Sequence, residues 1–165
     1  KFAKDVSTRI FYMDQGEIYE QGTPEQIFEH PERERTRIFI RQLKVLPIEK
    51  ITRDFDFPAL FIRLEEFGRK QQLSQKQIYA MQLAAEEVLV QKLLPIANDG
   101  SERDIFLNVE YSEQENLARM CFSYSGASFH PFGSGEDLSA RMIKGISKEM
   151  AYTFADGRNQ LVISI

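Results

Sequence analysis

The residues of this chain best placed to do chemistry are Glu86, Glu87 and Gln91. Glu87 and Gln91 are four apart, so on an α-helix they share a face, either as a working pair or as an ordinary i,i+4 surface pair. Glu86 and Glu87 are adjacent and diverge on a helix, which excludes a paired-carboxylate glycosidase. A second candidate is the run from Ser125 to Gly135, where Gly126, Gly133 and Gly135 would either contact phosphate or serve turns that need positive φ. His30 and His130 each precede a proline and read as loop residues. Cys121 is the only cysteine, within an apolar run and with no second thiol or nearby histidine, so neither a redox pair nor a metal site is expected. Arg119, Arg141 and Lys144 could clamp a carboxylate, although their spacing does not require it.

These residues must be positioned by a helix running from Ser74 to about Leu94 and ended by Pro95. Ser74 as N-cap with Gln77 makes a capping box, and Leu73 with Ile78 has staple spacing. Ile78, Met81, Ala85 and Val88 form one apolar stripe, and Leu83, Val90 and Leu94 a second, so the helix is expected to be sandwiched, with Glu87 and Gln91 beside the second stripe. Before it, Asp56-Phe57-Pro58 opens a helix with Leu60, Phe61, Leu64 and Phe67 on one face, reaching about Gly68. Pro47 to Phe55 reads as an edge strand. After Pro95, Asn98 to Ser101 is a turn; Ile105 to Tyr111 and Leu117 to Tyr124 form an antiparallel pair. A helix then runs from Glu136 to about Met150, and two last strands flank Asp156-Gly157, a type I′ hairpin signal.

A composition change near Pro47 divides the chain into 1–46 and 47–165. In the first part, Arg9 to Asp14 and Glu17 to Glu20 form a hairpin around Gln15-Gly16. Thr23-Pro24-Glu25-Gln26 starts a helix that ends at Pro31, and a further helix from Glu32 to Leu43 carries Ile38, Phe39 and Leu43 on one side. The order after Pro47 implies an α+β fold, a two-layer sandwich with helices on one face of a mainly antiparallel sheet.

At 165 residues, with 42% hydrophobic residues, the chain can fill a core. The net charge of −4 is dispersed, so no basic face points to nucleic acid. No apolar run approaches membrane-spanning length, no signal peptide is expected before Lys1, and the chain reads as beginning inside a domain. The lone cysteine suits a reducing cytoplasm.

Two resemblances add to this reading. Residues 2–31, from Phe-Ala-Lys-Asp through Gly-Thr-Pro-Glu-Gln-Ile-Phe-Glu-His-Pro, followed by Glu-Arg-Thr-Arg-Ile-Phe from Glu34, resemble the C-terminal end of the ATP-binding subunit of polar amino-acid ABC importers. The resemblance implies ATP and Mg for a parent protein, permease subunits as partners, pairing as a homodimer, and a place at the cytoplasmic face of the membrane. The phosphate loop and the Asp-Glu pair of such ATPases do not occur in this sequence, so no cofactor is expected in this stretch itself, a hairpin-plus-two-helix remnant of that domain.

Glu86-Glu87-Val-Leu-Val-Gln91, Phe122-Ser-Tyr124-Ser-Gly126-Ala-Ser-Phe129-His-Pro131, Gly133-Ser-Gly135 and the closing Ala-Tyr-Thr-Phe-Ala-Asp-Gly-Arg-Asn-Gln-Leu resemble the histidine-kinase-like ATPase fold, with anti-sigma-factor serine kinases as nearest kin. That resemblance makes Glu87 a general base and puts Gln91 where an Asn would hold magnesium. It also puts Tyr124 where an Asp would read adenine, and Glu136-Asp137 where phosphate would need positive partners. It therefore implies a degenerate nucleotide pocket of Glu87, Gln91, Tyr124, Gly126, Gly133 and Gly135. The expected function is a non-catalytic regulatory or interaction region of an importer's ATP-binding subunit. The alternatives are a serine-protein kinase acting through Glu87 and a sensor for a small-molecule effector.

Overall fold

The computed structural model describes residues 6–46, 50–96, 104–133 and 137–165. It divides into two compact units, Lys1–Lys44 and Val45–Ile165.

In the first unit, β1 (Ile10–Asp14) and β2 (Glu17–Gly22) pair antiparallel, with a bulge after Tyr12. Gln15 at φ 51° and Gly16 at φ 86° supply the two left-handed positions that a type I′ turn needs. Helix α1 (Pro24–Glu29) has the expected capping box: Gln26 N–H donates to Thr23 Oγ1 at 3.2 Å, and Thr23 N–H donates to Gln26 Oε1 at 2.8 Å. Helix α2 is shorter than expected, Glu34–Ile40. Its preceding backbone N–H groups at Glu32 and Arg33 donate to the Glu20 carboxylate at 2.8 and 3.2 Å, so an acid on β2 supplies the cap that Arg33 cannot. Leu43 is not in that helix but begins β3 (Leu43–Leu46), and Phe39, expected on its apolar face, is 64% exposed.

The second unit opens with β4 (Lys50–Ile51); residues 47–49 of the expected edge strand lie outside the described residues. Helix α3 (Phe57–Lys70) is capped by Asp56, whose carboxylate accepts from Ala59 N–H at 2.9 Å. Leu60, Leu64 and Phe67 are buried, as their spacing requires. Gly68 lets α3 approach its neighbour, because a Cβ there would lie 2.5 Å from Ile78 Cγ1.

Helix α4 (Gln75–Ala85) starts with the expected Ser74–Gln77 capping box. It does not continue as an α-helix to Leu94. From Glu86 to Leu93 the backbone is π-helical, Leu94 N–H donates to Leu89 C=O, and a short α5 (Leu94–Ile96) carries the helix past Pro95. The expected stripe Ile78, Met81, Ala85 and Val88 is fully buried. The i→i+5 ladder then sets Leu93 beneath Val88, where α-helical spacing would have brought Gln91 or Lys92 to that position. The second stripe is only half-buried at Leu83, Val90 and Leu94.

Strands β5 (Ile105–Ser112), β6 (Leu117–Ser125), β7 (Glu149–Ala155) and β8 (Arg158–Ser164) complete a six-stranded sheet of order β3-β5-β6-β8-β7, with β4 also on β5. The pairs β4–β5, β5–β6, β6–β8 and β7–β8 are antiparallel. Register aligns Leu107 with Phe122 and Leu161, and Val109 with Met120 and Ile163, giving the sheet one continuous apolar face. That face joins Leu64, Met81, Val88 and Leu89 of the helices in a single core. Asp156 at φ 52° and Gly157 at φ 73° form the expected type I′ turn.

Helix α6 spans Leu138–Ile146, not Glu136 to Met150, and Met150 belongs to β7. The expected turn from Asn98 to Ser101 lies outside the described residues. The architecture is α+β, with helices on one side of a mainly antiparallel sheet.

Candidate functional site

The candidate residues lie on three elements of the second unit: the π-helical segment, the end of β6, and the loop from Gly126 to Gly133. Glu87 sits on the π-helical segment and is 8% exposed; among the described residues no hydrogen bond or ion pair reaches its carboxylate. Gln91 is exposed. Of the expected pair, Glu87 is thus the buried member and Gln91 the exposed one.

Tyr124 is fully buried on the inner face of the sheet, at the end of β6. Its hydroxyl donates to the Phe129 carbonyl at 2.6 Å. Burial, and secondarily Tyr152 nearby, push its pKa up, so it remains a neutral donor. Beside it stands Asn159 of β8, also fully buried. Its amide nitrogen donates to the carbonyls of Tyr124 (3.3 Å) and Ala127 (3.1 Å), and its amide oxygen accepts from Phe129 N–H (2.9 Å) and the Tyr152 hydroxyl (2.6 Å). Those bonds occupy both donors and both lone pairs of the amide. Phe129 N–H also lies 3.1 Å from the Tyr152 oxygen, and Ser128 Oγ is 3.0 Å from it.

This network laces the glycine loop to two strands. Gly126, at φ 119°, turns the chain out of β6, and its N–H donates to Gly157 C=O at 3.2 Å. Gly133 takes no left-handed φ; it sits where a Cβ would come within 3.0 Å of His130 Cβ. Gly135 lies outside the described residues. His130 is a loop residue, as expected: Nδ1 accepts from Phe132 N–H at 3.1 Å, and the ring stacks on Tyr152 at 4.7 Å.

Lys92 closes the arrangement from the helix side. Its ammonium pairs with the Asp137 carboxylate and stands 5.8 Å from the Phe132 ring. Asp137 is also the N-cap of α6, accepting from Ala140 N–H at 2.8 Å. The hydrogen bond from Lys92, then that from Ala140, hold the Asp137 carboxyl below its ordinary value. At Asp137, where a phosphate would need a positive partner, the carboxylate makes a salt bridge and a helix cap; Glu136 lies outside the described residues.

These side chains do not fit magnesium-ATP. Gln91 is exposed and one methylene longer than the Asn that would hold magnesium, and the Tyr124 phenol, committed to a backbone carbonyl, offers no carboxylate acceptor to an adenine amino group. The basic trio is not brought together either. Arg119 alternates with the buried residues Ala118 and Met120 of β6, so it lies on the sheet face away from the helices and pairs with Glu115 at 2.5 Å; Arg141 and Lys144 are exposed on α6. Among the described residues, Glu25, Glu29 and His30 bring their ligand atoms within 4.8 Å of one another, all exposed, at the end of α1. Sequence reasoning missed Asn159, Tyr152 and Lys92. The signal for Asn159 was its position, two residues from Leu161 and four from Ile163, which period-two alternation places on the buried face.

No family model matches the chain. The "Probable amino-acid import ATP-binding protein YxeO" of Bacillus subtilis (strain 168) is 52% identical over 42 residues, 26% of this chain and 17% of that protein. The L-cystine import ATP-binding protein TcyN of the same organism is 49% identical over 43 residues, with the same coverage. The General L-amino acid transport ATP-binding protein AapP of Rhizobium johnstonii is 45% identical over 42 residues, 26% of this chain and 16% of that protein. The N-terminal quarter of this chain is similar to amino-acid importer ATP-binding proteins. The chain spans about 17% of the length of such relatives. The similarity covers the hairpin and helices of the first unit and does not extend to the candidate residues of the second. Among the described residues no helix is long and apolar enough to cross a membrane.

Proposed function

We propose that this chain is the C-terminal region of the ATP-binding subunit of an amino-acid ABC importer, and that its second unit is a non-catalytic regulatory or interaction module. The importer part rests on the identity of about half the residues across the first unit. The parent would bind ATP and Mg, work in pairs and act with permease subunits at the cytoplasmic face of the membrane. None of that chemistry is assigned to the residues present here.

For the second unit the reading is a histidine-kinase-like ATPase scaffold retired from nucleotide. One observation supports it: the Tyr124–Asn159–Tyr152 network ties the glycine loop to the sheet at Tyr124, the residue that on the kinase resemblance would stand in place of an adenine-reading Asp. A module of this kind biases a motor only by binding something better in one state of that motor than in the other. The rival reading, a protein kinase using Glu87 as general base, is favoured by the low exposure of Glu87, 8%, with no hydrogen bond or ion pair to it among the described residues.

Isothermal titration of magnesium-ATP into the full chain tests the assignment. The expected result is no binding heat. Binding tighter than about 100 μM, abolished by Glu87→Ala, would replace the regulatory reading with the kinase.

A further inference from the structure

The sheet ends on β7 (Glu149–Ala155), which among the described residues pairs only with β8. Its other side offers a row of unpaired backbone N–H and C=O groups. Sheets normally guard such an edge with lysine, proline, a bulge or a very short strand. Seven residues long, β7 has no proline and no bulge, and from Met150 to Ala155 no charge. Phe154 at its end is 43% exposed. An edge of this composition would be a liability unless it is covered.

We infer that the β7 edge is a self-pairing surface that joins two copies of this chain antiparallel about a two-fold axis through Tyr152. An edge strand is self-complementary in this sense, since a two-fold axis sets each free donor opposite an acceptor. Pairing centred on Tyr152 sets Lys148 of one copy opposite Asp156 of the other, at both ends of the ladder. Both residues are exposed; among the described residues the Lys148 ammonium has only a 3.5 Å contact to the Asn116 carbonyl, and Asp156 sits in the turn after the strand. The same register pairs Met150 with Phe154, covering the exposed ring, and Ala151 with Thr153 on the opposite face. Moving the centre by one residue to Ala151 or Thr153 sets Lys148 against Phe154 or Met150 against Asp156, and the charge pair is lost. Charge complementarity and apolar pairing therefore select one register and one occupant, a second copy. The inference goes beyond the importer reading and does not need it, because it uses no nucleotide and no residue of the first unit.

Sedimentation velocity of the full chain over a range of concentrations is the test. The expected result is a reversible rise from the mass of one chain to that of two. Lys148→Glu should weaken the association by about tenfold, because it sets an acid at position 148 of each copy against Asp156 of the other. The double variant Lys148→Glu with Asp156→Lys should restore it, since any strain of lysine at the left-handed position 156 is the same in one copy as in two. Far-ultraviolet circular dichroism of each variant shows that the fold persists. A chain that stays monomeric throughout the range would overturn the inference. So would a dimer indifferent to Lys148→Glu, or one that the double variant fails to restore.

Discussion

Asn159 and Tyr124 show how much of the loop geometry rests on two side chains. Removing the Tyr124 hydroxyl as Tyr124→Phe leaves the Phe129 carbonyl without its 2.6 Å donor, and we expect a loss of about 1–2 kcal/mol in urea unfolding. Asn159→Ala strips four bonds from a fully buried position, so its expected cost is larger, about 2–4 kcal/mol by the same measurement. A smaller loss for Asn159→Ala than for Tyr124→Phe would mean that the amide does not organise the loop. Asp137 supplies a pH-dependent contribution. Its folded pKa lies below the unfolded value, so its contribution is present above the unfolded carboxylate range, at about pH 3.9, and is lost as the pH falls through the folded pKa. Carboxyl carbon NMR titration should find Asp137 titrating below an ordinary aspartate, and Lys92→Ala should move it back upwards.

At the level of elements, the π-helical segment is the feature with the largest consequence. It lets the helix bury Leu93 under Val88. The contact between α3 and α4 depends on a hydrogen at Gly68, against which Ile78 packs. Gly68→Ala forces a Cβ to 2.5 Å from Ile78 Cγ1, and Ile78 is itself buried, so the side chain has little room to yield. We expect a destabilisation of about 1–3 kcal/mol, although alanine favours helix, and chemical denaturation of the variant measures it. A stabilised variant would show that the two helices part easily.

The whole molecule is uneven in how it is held. The continuous core, from Ile51 to Ile165, lies entirely within Val45–Ile165. In the first unit only Ile27 and Leu43 are buried apolar residues among those described, while Phe11, Met13, Ile18 and Phe39 are exposed. Residues 45–165 expressed alone should therefore unfold cooperatively, as a domain of that size with its own core does. Residues 1–44 alone should show little ordered structure by circular dichroism, because a hairpin with two short helices buries too little to offset its conformational entropy. Cooperative melting of the isolated 1–44 segment would contradict this.

What the sequence determined by itself is what local chemistry controls. Thr23 and Ser74 announce their capping boxes, Gln15-Gly16 and Asp156-Gly157 their turns, and the alternation in β5 and β6 its buried face, because each depends on neighbours a few residues away. The α+β order follows from those elements. The candidate site was legible only as a list of residue types. That Glu87 is buried while Gln91 is exposed depends on what packs against the helix. Whether Tyr124 faces a cavity or a carbonyl depends on Asn159, 35 residues away in sequence and adjacent only through the β6–β8 register. Such long-range pairings belong to the tertiary structure, because the partners of a buried polar group are chosen by which strands and loops come together and not by the residues beside it in the chain.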